Sequence, residues 1–402
     1  SIFIPYERPM WDELTVEEYG SLYCACFGCP ASHFSECFRT FGLTPRIRTL
    51  RVSALSGGQA RRLIIALSVL KAPRVILLDE PTSGLDAAAA MYVMNALGTQ
   101  KFACVVCSMH QPSELLMASV DRLLILCRGE CAFRGSCPQF QAYMEDHPSL
   151  VEGIPRGSSV ERFLCVLNDD FLTDGVCDNA RVVAWTDDWD VPARRATTQA
   201  PFLPSYRRYR SQRWMGTLYV LFKRTFLQEW RSRVYAKRTA MLVLACCLFA
   251  WVYISVRDRT QMQVLPRVFL LMWITGLPCC MSVVAVHVFT EHYRIASHEM
   301  HDGAYTPLQY WIVTSAVDAV MAPLMSLSCA GISLYAVSNF ERSAASQVLL
   351  LHAVQLWIFE TLARTLAVLT RSSLLGILVL ITLWFLSFLF SGILLRDGDV
   401  PS

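Results

Sequence analysis

The sequence predicts an α/β domain built on a parallel sheet, followed by an all-α membrane domain. The apolar run Val75–Leu78 ends in the carboxylates Asp79 and Glu80, which is typical of a buried strand whose carboxyl end lies at a ligand-binding sheet edge. From residue 239 onward there are five apolar runs, each near the roughly 20 residues that cross a bilayer. A hydrophobic fraction of 54% and a mean hydropathy of +0.37 also favour a membrane protein.

The charge and the cysteines are less informative. A formal net charge of +3 is too small to indicate a nucleic-acid partner, and we predict none. The 16 cysteines show no regular disulfide spacing. One cluster comprises Cys24, Cys26, Cys29 and Cys37. It is either a metal site or a set of small apolar helix residues, and the second reading is favoured because no further cluster supplies partner ligands.

A short Gly-rich segment precedes the apolar strand. Its residues are Ser56, Gly57, Gly58 and Gln59. A helix is predicted to begin after them, near Ala60, so the free N–H groups and the positive end of the helix dipole suit a phosphate. At the strand end, Asp79 can hold Mg²⁺ on a nucleotide, and Glu80 can orient or deprotonate water.

Two further motifs follow. Residues 83–86 read Ser-Gly-Leu-Asp and end at Asp86, and the apolar run 102–107 predicts a second strand followed by His110. In this order and spacing, LSGGQ, ILLDEP, SGLD and the histidine resemble the nucleotide-binding domain of ABC transporters. The resemblance implies an α/β P-loop-type nucleotide-binding domain, incomplete here, with ATP and Mg²⁺ as cofactors.

The resemblance also implies a role for each motif. Two domains pair head to tail, and the segment Ser56, Gly57, Gly58 and Gln59, here called the signature loop, contacts the γ-phosphate of ATP held by the partner. Asp79 holds Mg²⁺, and Glu80 polarises the attacking water. His110 steadies the γ-phosphate, and Asp86 links the two sites.

The sequence departs from the family at two places. The phosphate loop GxxxxGK[ST] does not occur, and Tyr6 stands where the family has a glutamine. We expect that the chain begins after this loop; the alternative is a domain that has lost it. A tyrosine cannot act as a carbonyl ligand to a metal. Two hypotheses therefore stay open: an ATP-driven transporter, and a catalytically degenerate subunit that lends its signature loop to a partner.

The remaining sequence predicts the domain order. Thr15 and Glu18 form a capping box for a helix. The predicted parts are a nucleotide-binding domain at 1–167, a linker at 168–213, an amphipathic connecting helix at 214–238 and a membrane domain at 239–402. A helix over 87–97, strands over 121–127 and 131–135, and a closing helix over 140–146 complete the first domain.

The membrane domain is predicted to have five spans. They cover residues 239–256, 268–289, 310–337, 344–369 and 374–395. Dense Lys and Arg before residue 239 place that side, and the nucleotide-binding domain, in the cytosol. Within the spans, Glu360 and Arg364 are four residues apart and are predicted to pair on one helix face. Asp318 and His287 are expected to reach interfacial water.

The segment between the second and third spans resembles the G subfamily of ABC transporters. Residues 291–306 match that subfamily at Glu291, Glu299, Gly303 and Tyr305. In the subfamily this is a short polar helix that docks on the nucleotide-binding domain. The resemblance implies a half-transporter with an ABC-2 type membrane domain, which works as a homodimer or heterodimer. Its expected role is export of a lipid, sterol or other hydrophobic substrate, in contact with membrane lipids.

Overall fold

The computed structural model describes most of the chain, with gaps. The described residues are 2–6, 8–71, 73–98, 104–110, 112–127, 130–146, 160, 162–164, 214–254, 260–337 and 342–389. The predicted linker, 168–213, lies outside them. The chain divides into two compact units, the first of residues 1–8, 29–50 and 54–209 and the second of residues 9–28, 51–53 and 210–402.

The first unit contains a parallel sheet, a hairpin and several helices among its described residues. In chain order these are β1 (Ile2–Ile4), α2 (Ala31–Thr40), α3 (Pro45–Arg48), α4 (Gly57–Val69), β2 (Val75–Leu78), α5 (Ala87–Gly98), β3 (Cys104–Cys107), α6 (Glu114–Met117), β4 (Leu123–Cys127), β5 (Glu130–Gly135) and α7 (Cys137–Asp146), where α1 belongs to the second unit. The sheet order is β1-β2-β3, with both pairings parallel. The α/β class predicted from the sequence is confirmed. Residues 102 and 103 of the second predicted strand lie outside the described residues.

Two helices begin earlier than the sequence predicted. Helix α4 starts at Gly57 rather than near Ala60, because Ser56 is its N-cap and exchanges two hydrogen bonds with Gln59 in a capping box. Helix α7 starts at Cys137 rather than Phe140. Ser136 and Gln139 make the same reciprocal pair of bonds ahead of it.

The second unit is almost entirely helical. Its helices are α1 (Val16–Phe27), α8 (Trp214–Arg231), α9 (Arg233–Val252), α10 (Val264–His301), α11 (Pro307–Val337), α12 (Arg342–Thr370) and α13 (Ser373–Leu389). The predicted capping box of Thr15 and Glu18 begins α1. The predicted connecting helix over 214–238 is two helices, because Ser232 leaves the helical conformation and caps α9 through the Tyr235 N–H.

In the described part of the chain, three helices are both long enough and apolar enough to cross a membrane. They are Arg233–Val252, Pro307–Ser328 and Ser346–Thr370, which correspond to the first, third and fourth predicted spans. The second predicted span lies inside α10, a continuous helix of 38 residues, so the expected short polar helix over 291–306 is largely the end of α10. The fifth lies in α13, and residues 390–395 of it are outside the described residues. Five spans remain a prediction.

The predicted pair between Glu360 and Arg364 is wrong. Arg364 donates two hydrogen bonds to Asp318, at 2.8 and 3.1 Å, and Glu360 instead accepts a bond from Arg238. Asp318 is buried in this pair rather than reaching interfacial water. Helix spacing places two charges on one face, but neighbouring helices offered each of them a better-placed partner. His287 is exposed and lies 3.1 Å from the Ser373 hydroxyl.

Candidate nucleotide site and a buried junction in the second unit

The parallel sheet brings the predicted catalytic residues to its carboxyl edge. Beyond the strands, the Asp79 N–H donates to the Ile4 carbonyl at 2.9 Å, and the Ser108 N–H donates to the Leu78 carbonyl at 3.0 Å. These bonds extend the ladder by one residue on each side of β2. Asp79 and the residue after β3 are therefore held level with each other, where open α/β sheets bind ligands.

Ser108 ties the two carboxylate residues together. Its hydroxyl donates to Asp79 Oδ1 at 2.7 Å and accepts the Glu80 N–H at 2.9 Å. Glu80 has a φ of +46°, an uncommon conformation for a residue with a side chain. The bond to its N–H helps to hold this conformation. The sequence analysis missed Ser108, although its place two residues before His110 was a usable signal.

Arg61 is a second residue that the sequence analysis missed. From the first turns of α4, its buried guanidinium donates to the carbonyls of Pro5 at 2.6 Å and Tyr6 at 2.9 Å, and also to that of Asp79. One side chain thus connects helix α4 to the loops after β1 and β2. The Tyr6 ring is 49% exposed and lies 6.0 Å from the Arg61 guanidinium carbon. Charged donors to several carbonyls are strong anchors.

The signature loop fits an approaching phosphate. Its Ser56 and Gln59 N–H groups are used in the capping box, which leaves the amides of the two intervening glycines at the positive end of α4. A Cβ added at Gly57 would meet nothing within 4 Å, so the backbone there is open to a ligand. A Cβ on Gly58 would lie 3.0 Å from Leu85 Cδ2, so the loop packs closely on the SGLD motif.

The two remaining predicted site residues are Asp86 and His110. Asp86 is the N-terminal cap of α5, because its carboxylate accepts the Ala89 N–H at 2.7 Å. His110 is exposed, three residues beyond the end of β3. The roles of these two residues toward ATP remain predictions. In the described part of the chain, no group of three or more His, Cys, Asp or Glu side chains is placed to hold a metal by itself.

Two thiols of the predicted cysteine cluster hydrogen-bond to the end of α4. Cys29 Sγ lies 3.3 Å from the Leu70 carbonyl, and Cys37 Sγ lies 3.5 Å from the Ala66 carbonyl. Burial raises the pKa of the Cys37 thiol to about 12, so it stays protonated. These thiols are placed for packing between helices.

In the second unit, Glu299 is a buried hub near the end of α10. Its Oε1 accepts from Trp11 Nε1 at 2.9 Å and from the Tyr19 hydroxyl at 3.2 Å. Its Oε2 accepts from Arg224 at 2.5 Å and from the Tyr305 hydroxyl at 2.6 Å. One carboxylate therefore joins α1, α8 and α10. Glu299 and Tyr305 are two of the four subfamily matches noted in the sequence.

Two further contacts support the same junction. Arg231, at the end of α8, forms a bidentate salt bridge with Glu18 of α1 at 2.7 and 3.0 Å. The Tyr23 hydroxyl of α1 donates to Asp302, just past α10, at 3.1 Å. The segment that follows β1 in the chain is thus fixed to the helices that lead into the membrane region.

We expect Ser108→Ala to lower kcat for ATP hydrolysis by roughly 10-fold or more, with little change in the KM for ATP. The lost hydrogen bonds orient Asp79 and Glu80, and a bond to a charged group contributes about 1.5–3 kcal/mol. Ser108→Thr keeps the hydroxyl and should retain most of the rate. Steady-state kinetics on the full-length protein measure both. Equal rates for the alanine and threonine variants would remove Ser108 from the site.

Comparison with known proteins now adds to this geometry. Residues 3–83 match the ABC transporter family model, and residues 217–401 match the model of ABC-2 type transporters. The relatives found by sequence are named as G family members. The chain is an ABC transporter chain of the G subfamily.

The individual relatives are only partly covered. ABC transporter G family member 8 of Arabidopsis thaliana is 30% identical over 189 residues, which are 44% of this chain and 31% of the relative. Member 11 of the same plant is 23% identical over 381 residues, 86% of this chain and 54% of the relative. Member 1 of Dictyostelium discoideum is 40% identical over 97 residues, 23% of this chain and 12% of the relative. This ABC transporter chain spans about half or less of the length of these relatives.

Proposed function

We propose that this chain is one half of an ATP-driven transporter that works as a dimer and exports a lipid, sterol or other hydrophobic substrate. The observation that carries the proposal is the buried Glu299 hub. It fixes α1, which follows strand β1 of the first unit in the chain, to the helix α10, which contains a predicted span. A chain that contains both a nucleotide site and such a junction is suited to convert ATP binding into helix movement.

At the nucleotide site, each residue has one proposed task. ATP supplies the phosphoanhydride bond whose hydrolysis resets the cycle. The signature loop binds the γ-phosphate of ATP held by the partner subunit, through the open amides of Gly57 and Gly58. Asp79 holds Mg²⁺, Glu80 orients and polarises the water, and His110 contacts the γ-phosphate. Asp86, while capping α5, presents the SGLD turn to the partner.

Transmission to the membrane then follows from rigid connections. ATP binding closes the paired nucleotide-binding domains and displaces α1. Because Glu299 joins α1 to α8 and α10, the displacement shifts an equilibrium between inward-open and outward-open arrangements of the spans. The nucleotide-binding domain lies in the cytosol, since the basic residues of α8 and early α9 precede the first span.

A second candidate is the catalytically degenerate subunit, which is favoured by Tyr6. Its backbone carbonyl is bound by Arg61 and its ring is exposed, so it offers a phenol where the family has a carboxamide. Such a subunit would lend its signature loop to a partner and hydrolyse nothing at its own site. It predicts that Glu80→Gln in this chain leaves the ATPase rate of the pair unchanged.

The test is ATP hydrolysis by the full-length protein in lipid nanodiscs across a panel of sterols, phospholipids and hydrophobic drugs. We expect Mg²⁺-dependent hydrolysis that at least one class of compound stimulates. The matched control is Ser53→Ala, an exposed residue ahead of the signature loop, which should hydrolyse ATP at the wild-type rate. The proposal would be contradicted if neither the wild type nor the Ser53→Ala variant bound adenine nucleotide.

A further inference from the structure

Five charged side chains from four helices meet in a buried network of the second unit. Arg364 of α12 holds Asp318 of α11 with two hydrogen bonds, and Arg238 of α9 donates to Glu360 of α12. Glu360 Oε1 also accepts the Ser282 hydroxyl at 3.0 Å. Each guanidinium therefore hydrogen-bonds to one carboxylate, and both pairs are buried.

Glu229, near the end of α8, is the third carboxylate of this network. Its Oε1 lies 3.6 Å from Arg364 and 3.9 Å from the His292 Nδ1. Both distances are longer than a hydrogen bond, and the Arg364 charge is already matched by Asp318. Among the described residues the network thus contains three buried carboxylates and two buried guanidiniums, so it carries one more negative than positive charge, and Glu229 shares Arg364 with Asp318.

Groups on every neighbouring element face Glu229. They are Arg364 and Glu360 on α12, Arg238 and Tyr235 on α9, Asp318 and Tyr310 on α11, His292 on α10, and Glu13 ahead of α1. Burial lowers the pKa of His292 to about 3, helped by the nearby Arg364 and Arg224, so this imidazole does not supply the missing positive charge. Burial also raises the pKa of Glu229, against the attraction of Arg364 and Arg238.

A small cavity lies beside Glu229. Its volume is about 20 Å³, and its polar lining includes Glu229, Tyr235, Arg238, Asp318 and Glu360. That volume suits one water molecule. Among the described atoms, Arg238 Nε is buried without a hydrogen-bond partner, so it could donate to the oxygen of a water molecule in the cavity.

We propose that Glu229 is a proton-binding site, which at neutral pH takes one proton from water and so neutralises the network. A buried carboxylate without its own counter-charge is more stable protonated than ionised. The cavity beside Glu229 has room for one water molecule that could pass a proton to the carboxylate. The proton-binding step needs no ATP. If the proposed function holds, movement of α8 relative to α12 changes the Glu229–Arg364 distance, and proton release or uptake then accompanies the transport cycle.

Infrared spectroscopy of the purified chain tests protonation directly. The chain is kept in a maltoside detergent, which has no carbonyl group, at neutral pH. We expect wild type to show a protonated carboxylic-acid carbonyl band that is missing in Glu229→Gln, while Glu18→Gln keeps it. Glutamine has the shape of a protonated glutamate, so the variant should fold. Spectra of wild type and Glu229→Gln that agree in this region would overturn the proposal, whether or not the protein hydrolyses ATP.

The pH dependence of thermal unfolding gives a second readout. A carboxylate whose folded-state pKa is raised contributes stability that is fully present below its unfolded pKa and is lost as the pH rises through the folded-state value. Wild type should therefore lose Tm relative to Glu229→Gln as the pH rises above the ordinary glutamate value of 4.5. Burial opposes ionisation of Glu18, but its hydrogen bonds from Arg231 outweigh it and lower the pKa, so Glu18→Gln should keep the wild-type fall over this range. If His292→Gln removed the fall and Glu229→Gln did not, the proton would belong to His292 and the assignment would be wrong.

Discussion

Glu80→Gln should reduce ATP hydrolysis by the full-length protein by roughly 100-fold or more, with ATP binding retained. Glu80 is the only one of the strand-end carboxylates proposed to act on water, and general-base catalysis contributes about 10²–10⁴-fold. The substitution keeps the size of the side chain and leaves the bond between the Glu80 N–H and Ser108 intact. Steady-state hydrolysis and equilibrium binding of ATP, measured on the same preparation, separate the two effects.

The matched control for this variant is Glu36→Gln, an exposed carboxylate on α2 of the same unit. It should hydrolyse ATP at the wild-type rate. An unchanged rate in Glu80→Gln, with ATP still bound, would favour the degenerate-subunit hypothesis. Loss of binding together with hydrolysis would instead show that Glu80 supports the fold of the site.

Glu299→Gln should lower the free energy of unfolding of the second unit by about 3–5 kcal/mol, because it leaves the charge of Arg224 buried without its carboxylate partner. Burial lowers the pKa of Arg224 and the charge of Glu299 raises it. The variant loses the second effect, but a guanidinium keeps its proton in proteins, so Arg224 stays charged. The variant also weakens the bonds from Trp11 and Tyr19. Denaturant unfolding of the detergent-solubilised protein, followed by tryptophan fluorescence, measures the loss.

Glu291→Gln on the same helix is the control for this experiment. Its carboxylate is half exposed and lies 3.9 Å from Arg294, so the expected change is within about 0.5 kcal/mol. Equal unfolding midpoints for the two variants would show that Glu299 is not a buried anchor. At the functional level, Glu299→Gln protein that still binds ATP should show ATPase activity that transport substrates no longer stimulate.

The sequence was sufficient for the fold class and for the positions of β2 and the sheet-edge carboxylates. Those features are local: a short apolar run predicts a buried strand, and a turn signal marks its end. Helix starts were less certain. A capping residue can bring a helix start forward by a full turn, as Ser56 does for α4.

Partners of charged residues could not be predicted from spacing alone. Glu360 and Arg364 stand four apart, yet each bonds to a different helix, because three-dimensional packing decided between several available partners. Arg61 and Ser108 were missed for the same reason: their importance lies in bonds to backbone or side-chain groups 18 to 56 residues away. Glu299, in contrast, was found through its family pattern, and the structure adds the four groups that bind it.

In the proposed mechanism, ATP bound at the sheet edge moves the membrane helices through Glu299. The most direct test is site-resolved thiol labelling of Cys247 on α9 and Cys280 on α10, both exposed, in full-length Glu80→Gln protein with and without ATP and Mg²⁺. Mass spectrometry assigns each label to its cysteine. We predict that ATP changes the labelling rate of at least one of the two thiols, and that adding Glu299→Gln abolishes the change. Labelling rates that stay constant while ATP is demonstrably bound would contradict the account.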